Sequence, residues 1–217
     1  MIGILLCGAA GKMGRSMTAL IQRESDMRVV CAVDTQCVGA DLGELASIGK
    51  LNIAVEDDLA AAISRKEADV MLDFTNPQAV VKNLRLALSL GLPCVVGTTG
   101  LTAADKKELE ALSLANKAPL FIAPNFSVSA VLMMKYAADA VKYFPNYEVV
   151  EIHDDKKMDA PSGTALATVA LMNANREPQA QGGLEQHETL PGCRGGDAQG
   201  ARVHSVRLPG VVAIQEV

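Results

Sequence analysis

The sequence predicts an α/β protein: a doubly wound parallel sheet over residues 1–126, then a smaller α+β unit over 127–217. Three observations carry that expectation. Five short apolar runs alternate with amphipathic stretches through the first 125 residues. Each run is apolar at successive positions, as in a strand covered on both faces, and strands alternating with helices at this spacing form βαβ units. After residue 126 the alternation stops and one long amphipathic stretch begins.

The elements follow in order. I-G-I-L-L-C at 2–7 is the first strand, and a helix is expected near 12–24. M-R-V-V-C-A-V at 27–33 is the second strand, and a helix near 57–64 leads to D-V-M-L-D-F at 69–74. A helix over 77–90 starts after Asn76 with Pro77 in its first turn, where a missing N–H costs nothing. P-C-V-V-G at 93–97 precedes a helix over 102–116 that Thr102 is placed to cap, and P-L-F-I-A at 119–123 completes the sheet.

In the second unit, residues 127–144 read as one amphipathic helix whose Met and Val stripe marks core or subunit interface. A strand, E-V-V-E-I-H, runs to His153, and a second helix is expected over about 163–175. The Gly- and Gln-rich stretch 176–200 reads as a flexible loop. Two strands joined at Pro209 and Gly210 end the sequence, and stopping inside a strand implies further elements beyond Val217.

Composition excludes several function classes. With 49% hydrophobic and 21% charged residues, a chain of 217 residues can bury a sizeable core. A net charge of -5 argues against a nucleic-acid-binding surface, which needs a basic excess. No apolar run approaches the roughly 20 residues of a membrane helix. The start, M-I-G-I-L-L-C-G, has no basic leader or cleavage site, so a cytoplasmic protein without a membrane partner is expected. Five cysteines are an odd number and none forms a C-x-x-C pair, so they are read as structural and no metal site is expected. Cys7, Cys31 and Cys94 lie in apolar runs, whereas Cys37 and Cys193 lie in polar loops.

The first strand runs into G-A-A-G-K-M-G, comprising Gly8, Ala9, Ala10, Gly11, Lys12, Met13 and Gly14. Gly8 permits a tight turn, Gly11 lets a backbone approach a diphosphate, and Gly14 allows close packing of helix on strand. The helix that follows offers its N–H groups and positive dipole end to the phosphates. Asp34 ends the second strand 20 residues after Gly14, where a carboxylate accepts hydrogen bonds from ribose hydroxyls. Strand, glycine turn, helix and acidic residue together specify a Rossmann-type dinucleotide site. A carboxylate at Asp34 repels the 2′-phosphate of NADP, and Thr35 and Gln36 bring no arginine to offset it. NADH is therefore the expected cofactor, with some use of NADPH through Lys12.

A second motif, E-I-H-D-D-K-K-M-D-A-P-S-G-T-A at 151–165, gathers an imidazole, ammonium groups and a helix-starting turn. With G-A-A-G-K-M-G, D-F-T-N-P at 73–77, V-G-T-T-G-L at 96–101 and A-P-N-F-S at 123–127, it resembles the 4-hydroxy-tetrahydrodipicolinate reductases of the bacterial diaminopimelate and lysine pathway. The resemblance covers nearly the whole chain and keeps the order of all five motifs. It implies NAD(P)H-dependent reduction of (2S,4S)-4-hydroxy-2,3,4,5-tetrahydrodipicolinate, and a homotetramer built through the second domain. Gly97, Thr98, Thr99, Ala123, Pro124, Asn125 and Phe126 would lie on the nicotinamide side, with a hinge near 123–127. His153 and Lys157 match the family's acid/base pair, and Ser162, Gly163 and Thr164 match its substrate-carboxylate loop.

The chemistry of those residues agrees. Hydride addition to a carbon conjugated with an imine leaves negative charge that a proton must quench, and an imidazole suits that transfer near neutral pH. Lys157 can hold a carboxylate or donate a proton, and a helix start can cradle the second carboxylate. One departure is Asp154, where many relatives carry a second histidine beside the substrate. Its carboxylate is expected to face solvent or to stabilise the His153 imidazolium. His187 and His204 have no such company. Two other readings fit the same residues: a nicotinamide enzyme for a related imine or amino acid, and a non-catalytic dinucleotide sensor.

Overall fold

In the computed structural model, which describes residues 1–123, 125–177 and 187–217, the first apolar run is β1 (Ile2–Cys7), buried from Gly3 onward. There follow α1 (Lys12–Ile21), β2 (Met27–Val33), α2 (Leu42–Leu45), β3 (Val55–Glu56) and α3 (Leu59–Ser64). Then come β4 (Val70–Asp73), α4 (Pro77–Ser89), β5 (Cys94–Val96), α5 (Ala103–Asn116) and β6 (Leu120–Ile122). All six strands are parallel, in the order β3-β2-β1-β4-β5-β6. Strand order reverses between β1 and β4, and the crevice beyond their carboxyl ends is where such sheets take ligands.

Apolar layers cover both faces. Leu5, Met71, Leu84, Val96 and Leu109 pack on one side, and Ile4, Leu6, Val29, Leu42 and Val55 on the other. Neighbours on a strand point to opposite faces, so a sheet buried twice needs unbroken apolar runs. Helix starts obey their side chains. Asn76 Oδ1 accepts from Gln78 N and Ala79 N, both at 3.0 Å, with Pro77 opening α4. Thr102 Oγ1 accepts from Asp105 N at 3.1 Å while Asp105 Oδ2 accepts from Thr102 N at 2.9 Å, a reciprocal capping box.

The chain divides into two units, Met1–Ala123 and Pro124–Val217. The second holds α6 (Val128–Ala140), β7 (Glu148–His153), α7 (Gly163–Asn173), β8 (Gly196–Ala198), β9 (Ala201–Arg207) and β10 (Ala213–Glu216). Its sheet order is β10-β7-β9-β8, with β7 and β9 parallel and the outer pairs antiparallel. Val141, Tyr147, Val149, Val169, Met172 and Val203 form its core.

Three features differ from the sequence reading, and one expected feature gains detail. The helix expected over 127–144 ends at Ala140, and a turn leads to Pro145, which disfavours helical conformation in the residue before it. The two strands expected on either side of Pro209 and Gly210 are β9 and β10, and β7 lies between them in the sheet. Part of the expected loop 176–200, residues 178–186, lies outside the described residues, and another part forms β8. Gln199 and Gly200 turn β8 into β9 with φ of 58° and 82°, the two positive values of a type I′ hairpin turn. Finally, α2 and β3 are too short to leave a periodic signal; Asp41 caps α2 by accepting from Gly43 N at 2.9 Å.

Cys7, Cys31 and Cys94 are buried, Cys37 and Cys193 exposed, and all five are free. Burial, aided by the charge of Asp73, pushes the Cys94 thiol up to about 12, so it is inert packing. No helix among the described residues is long and apolar enough to cross a membrane.

Candidate active site

The first unit presents a backbone cradle at the end of β1. Gly8 has φ +78°, and its N–H donates to Val33 O at 2.9 Å, which ties the turn to the end of β2. A Cβ on Gly8 would stand 2.4 Å from Phe74 O, so only glycine lets the chain pass the end of β4. Ala9 and Ala10 are buried beneath the turn, whereas Gly11, Lys12 and Met13 are exposed where α1 starts. Among the described residues no side chain caps α1, so its first N–H groups are available to an anion. A Cβ on Gly14 would fall 2.1 Å from Gly8 O, the closest packing in the cradle.

Asp34 is held rather than free to swing. Its Oδ2 accepts from Ala10 N at 3.0 Å and its Oδ1 from Gln36 N at 2.9 Å. A cleft of about 890 Å³ runs from this loop past Gly8, Gly11, Gln36 and Phe74 to Lys82. Lys82, on α4, is a cation that motif spacing did not point to. These residues fit a dinucleotide: uncapped N–H groups and glycine surface for the diphosphate, and a fixed carboxylate for a ribose.

The ends of β4 and β5 are bound by one carboxylate. Asp73 is fully buried; its Oδ1 accepts from Thr75 N (3.0 Å), Thr75 Oγ1 (2.7 Å) and Thr98 Oγ1 (2.8 Å). Asn83 Nδ2 donates to its Oδ2 at 3.0 Å. Gly97 N donates to Asp73 O at 2.9 Å, and a Cβ there would lie 2.0 Å from the Phe74 ring. Thr98 is buried, Thr99 is exposed, and Ala123 N closes the edge by donating to Val96 O at 3.0 Å.

In the second unit the site forms around the end of β7. Glu151 is wholly buried, on the strand face that carries Val149. Its Oε2 pairs with His153 Nδ1 and accepts from Arg207 Nη1 at 2.9 Å. Its Oε1 accepts from Arg207 Nη2 at 2.9 Å and from Ser162 N at 3.2 Å. Burial would raise this carboxyl, but the hydrogen bonds from Arg207, Ser205 and His153 outweigh it and bring it from 4.5 down to about 2. The guanidinium also donates to Val206 O at 2.8 Å and Asp159 O at 2.7 Å, and its Nε alone lacks a partner among the described residues.

Ser162 caps α7, accepting from Ala165 N at 3.1 Å, so Gly163 and Thr164 form the first turn of that helix. Asn125 Nδ2 donates to Thr164 Oγ1 at 3.2 Å and Asn125 Oδ1 accepts from Ser127 N at 2.7 Å. Phe126 is 41% exposed, and Pro124 lies outside the described residues. Lys157 Nζ donates to Asp159 Oδ1 at 2.7 Å. Burial works to raise the Asp159 carboxyl, but the Lys157 ammonium prevails and holds it below its ordinary value. Asp154 uses Oδ1 on Lys156 N at 3.1 Å and Oδ2 on Gly210 N at 3.0 Å, which anchors the turn between β9 and β10.

The family description "Dihydrodipicolinate reductase, N-terminus" matches residues 2–126, and "Dihydrodipicolinate reductase, C-terminus" matches residues 129–217. The chain belongs to the dihydrodipicolinate reductase family. The 4-hydroxy-tetrahydrodipicolinate reductase of Syntrophomonas wolfei is 46% identical over 214 residues, which span 99% of this chain and 80% of that protein. That of Desulfitobacterium hafniense is 47% identical over 217 residues, 100% of this chain and 81% of that one. A dipicolinate-bound dihydrodipicolinate reductase from Paenisporosarcina sp. TG-14 superposes with a TM-score of 0.78 at 38% identity, covering 99% and 82% of the two chains. A myo-inositol dehydrogenase from Corynebacterium glutamicum shares the fold alone, at 18% identity and a TM-score of 0.57 over 79% of this chain and 55% of that one.

Within this reductase-family chain the structure gathers His153, Ser162 and Glu151 into one bonded group. It adds two residues that motif reading passed over, Glu151 and Arg207, which are 56 positions apart. A signal for Glu151 existed: it occupies an inward-facing position in an alternating strand, where an apolar residue is the default.

Proposed function

We propose that the chain catalyses NAD(P)H-dependent reduction of (2S,4S)-4-hydroxy-2,3,4,5-tetrahydrodipicolinate to (S)-2,3,4,5-tetrahydrodipicolinate and water, within diaminopimelate and lysine biosynthesis. The observation that carries this reading is the bonding of a proton-carrying imidazole to the start of an anion-cradling helix, through Glu151. The names of the relatives and the dipicolinate bound by the Paenisporosarcina protein support a cyclic dicarboxylate as substrate.

In this reading the cofactor, when bound, supplies a hydride. Lys12, Met13 and the other exposed amides of the α1 start take its diphosphate, and Asp34 takes the adenosine ribose. Within the first unit, Gly97, Thr98, Thr99 and Ala123 border its nicotinamide. His153 gives the proton that quenches charge on the reduced substrate. Lys157 has three donors, so it can hold a substrate carboxylate while keeping its bond to Asp159. Ser162, Gly163 and Thr164 receive the other carboxylate at the α7 start. Asp154 contributes on the substrate side through its backbone, since its carbonyl accepts from Lys157 N at 3.1 Å and fixes the lysine loop.

The test is loss of NADH absorbance with substrate generated in situ by the preceding synthase from pyruvate and aspartate semialdehyde. Synthase-dependent oxidation is expected. Binding of NADH without oxidation would refute the reaction and leave a nicotinamide enzyme for a related imine or amino acid, or the sensor. Run with both cofactors, the assay should give a lower KM for NADH than for NADPH, because the clamped Asp34 carboxylate opposes a 2′-phosphate. Similar KM values with faster NADPH turnover would overturn that preference.

We assign the chain to the cytoplasm as a homotetramer. Val128, Val131, Leu132 and Tyr136 on α6 and Ile214 on β10 are exposed, an apolar surface that assembly would cover. Sedimentation velocity should return four times the chain mass of 22.8 kDa, and a monomer at micromolar concentration would refute it.

A further inference from the structure

We propose that Glu151 is a positioning residue for the proton transfer: clamped by Arg207, it fixes the ring of His153 with Nδ1–H toward the carboxylate and leaves Nε2 as the atom that exchanges the proton. The inference rests on the reductase reading of this site.

The charge balance of the cluster supports it. A wholly buried carboxylate on a core-facing strand position is costly unless its charge and lone pairs are met. Here five donors meet them: both ends of the Arg207 fork at 2.9 Å, Ser162 N at 3.2 Å, His153 Nδ1 and the Ser205 hydroxyl. Parallel register explains their convergence. In β7 and β9, Glu151 stands opposite Ser205 and His153 opposite Arg207, and paired residues of parallel strands share a face.

Arg207 is spent in this arrangement. Nη1 and Nη2 each bond one Glu151 oxygen and one backbone carbonyl, so the fork acts as the clamp of the carboxylate. An ionised carboxylate only accepts hydrogen bonds, so the nitrogen it meets must carry hydrogen. The other ring nitrogen is then the one that gives a proton to substrate and later takes one back from solvent. The same carboxylate fixes Ser162 N, so one group sets both the proton donor and the helix start proposed to hold substrate.

Glu151→Gln separates this from a role in folding alone. An amide has one acceptor oxygen. Each side faces an Arg207 nitrogen, but the Oε1 side also faces the Ser162 N–H, which can only donate, whereas the His153 ring on the Oε2 side can change tautomer. The oxygen therefore stays on the Oε1 side, and the NH2 turns to His153. Nδ1 must then accept, which moves the ring proton to Nε2.

The chain has three histidines, so 15N-histidine labelling gives three ring systems, and His153→Ala identifies the one in question. Wild type should show the Nδ1–H form and Glu151→Gln the Nε2–H form. The variant's kcat should fall at least about tenfold, as for other triad-like carboxylates, with the NADH KM unchanged. A wild-type His153 in the Nε2–H form overturns the proposal even if the variant fails to fold. So does a folded Glu151→Gln with kcat within about twofold of wild type. A loss of activity that tracks a lowered Tm with the tautomer unchanged makes Glu151 a strut and also overturns it. Absence of turnover in wild type would remove the reductase reading instead, while the tautomer experiment would still report the ring's anchoring.

Discussion

His153→Ala should lower kcat by about 100-fold to 10,000-fold, the range for removal of a general acid, while the Kd for NADH stays within about twofold of wild type. The expected separation follows from where the residue sits. His153 belongs to the second unit, whereas the glycine cradle, Asp34 and the Asp73 network all belong to the first. Its backbone is held independently of the ring, by pairing of β7 with β9 and β10 and by Leu208 N donating to His153 O at 3.0 Å. Truncation therefore leaves the strand in place and removes one of five donors to Glu151. Stopped-flow reduction and NADH fluorescence titration measure the two quantities. Unchanged kcat would refute the acid role; a dinucleotide sensor would instead show no turnover in wild type and bind NADH equally well in both proteins.

Most of the first unit was legible because its physics is local. Ile4, Leu5 and Leu6 each need an apolar partner on alternate faces, so burial on both sides is written into consecutive letters. The caps at Asn76 and Thr102 act within three residues. Likewise the cradle is a contiguous turn, and Asp34 is fixed to it by the β1–β2 pairing that the βαβ pattern implies.

The second site was legible only in part. His153, Lys157 and Ser162 share one short motif, but Arg207 reaches Glu151 through a strand register that no linear spacing encodes. Sequence reading also joined β9 to β10 across Pro209 and Gly210 without seeing that β7 separates them. Local rules name a turn; they do not choose which strand pairs with which. For the same reason the Asp154 carboxylate read as facing solvent or His153, and no spacing pointed to its bond from Gly210 N, 56 positions away.

Gly14→Ala and Gly11→Ala should fail in different ways, and that contrast tests the cradle most sharply. At Gly14 the added Cβ would stand 2.1 Å from Gly8 O, 2.7 Å from Ala9 O and 2.8 Å from Ala9 Cα. All three are backbone atoms, so no side chain can swing away, and α1 must lift from the end of β1. Overpacking of that kind costs about 1–3 kcal/mol, which in a domain this size is a Tm loss of roughly 2–12 °C. Cofactor affinity should fall with it, because the helix start and the turn move apart. At Gly11 the Cβ would meet only Gly8 O, at 3.3 Å, and φ is -72°, a value any residue adopts. The fold should tolerate that alanine with a Tm change of about 2 °C or less, since an exposed substitution costs no more than about 0.5 kcal/mol. Its methyl group instead occupies the surface where the diphosphate approaches the backbone, so NADH affinity should drop about tenfold or more with stability kept. Differential scanning calorimetry paired with NADH titration reads both effects. Equal loss of stability in the two variants would make Gly11 a packing residue and move the diphosphate off this turn.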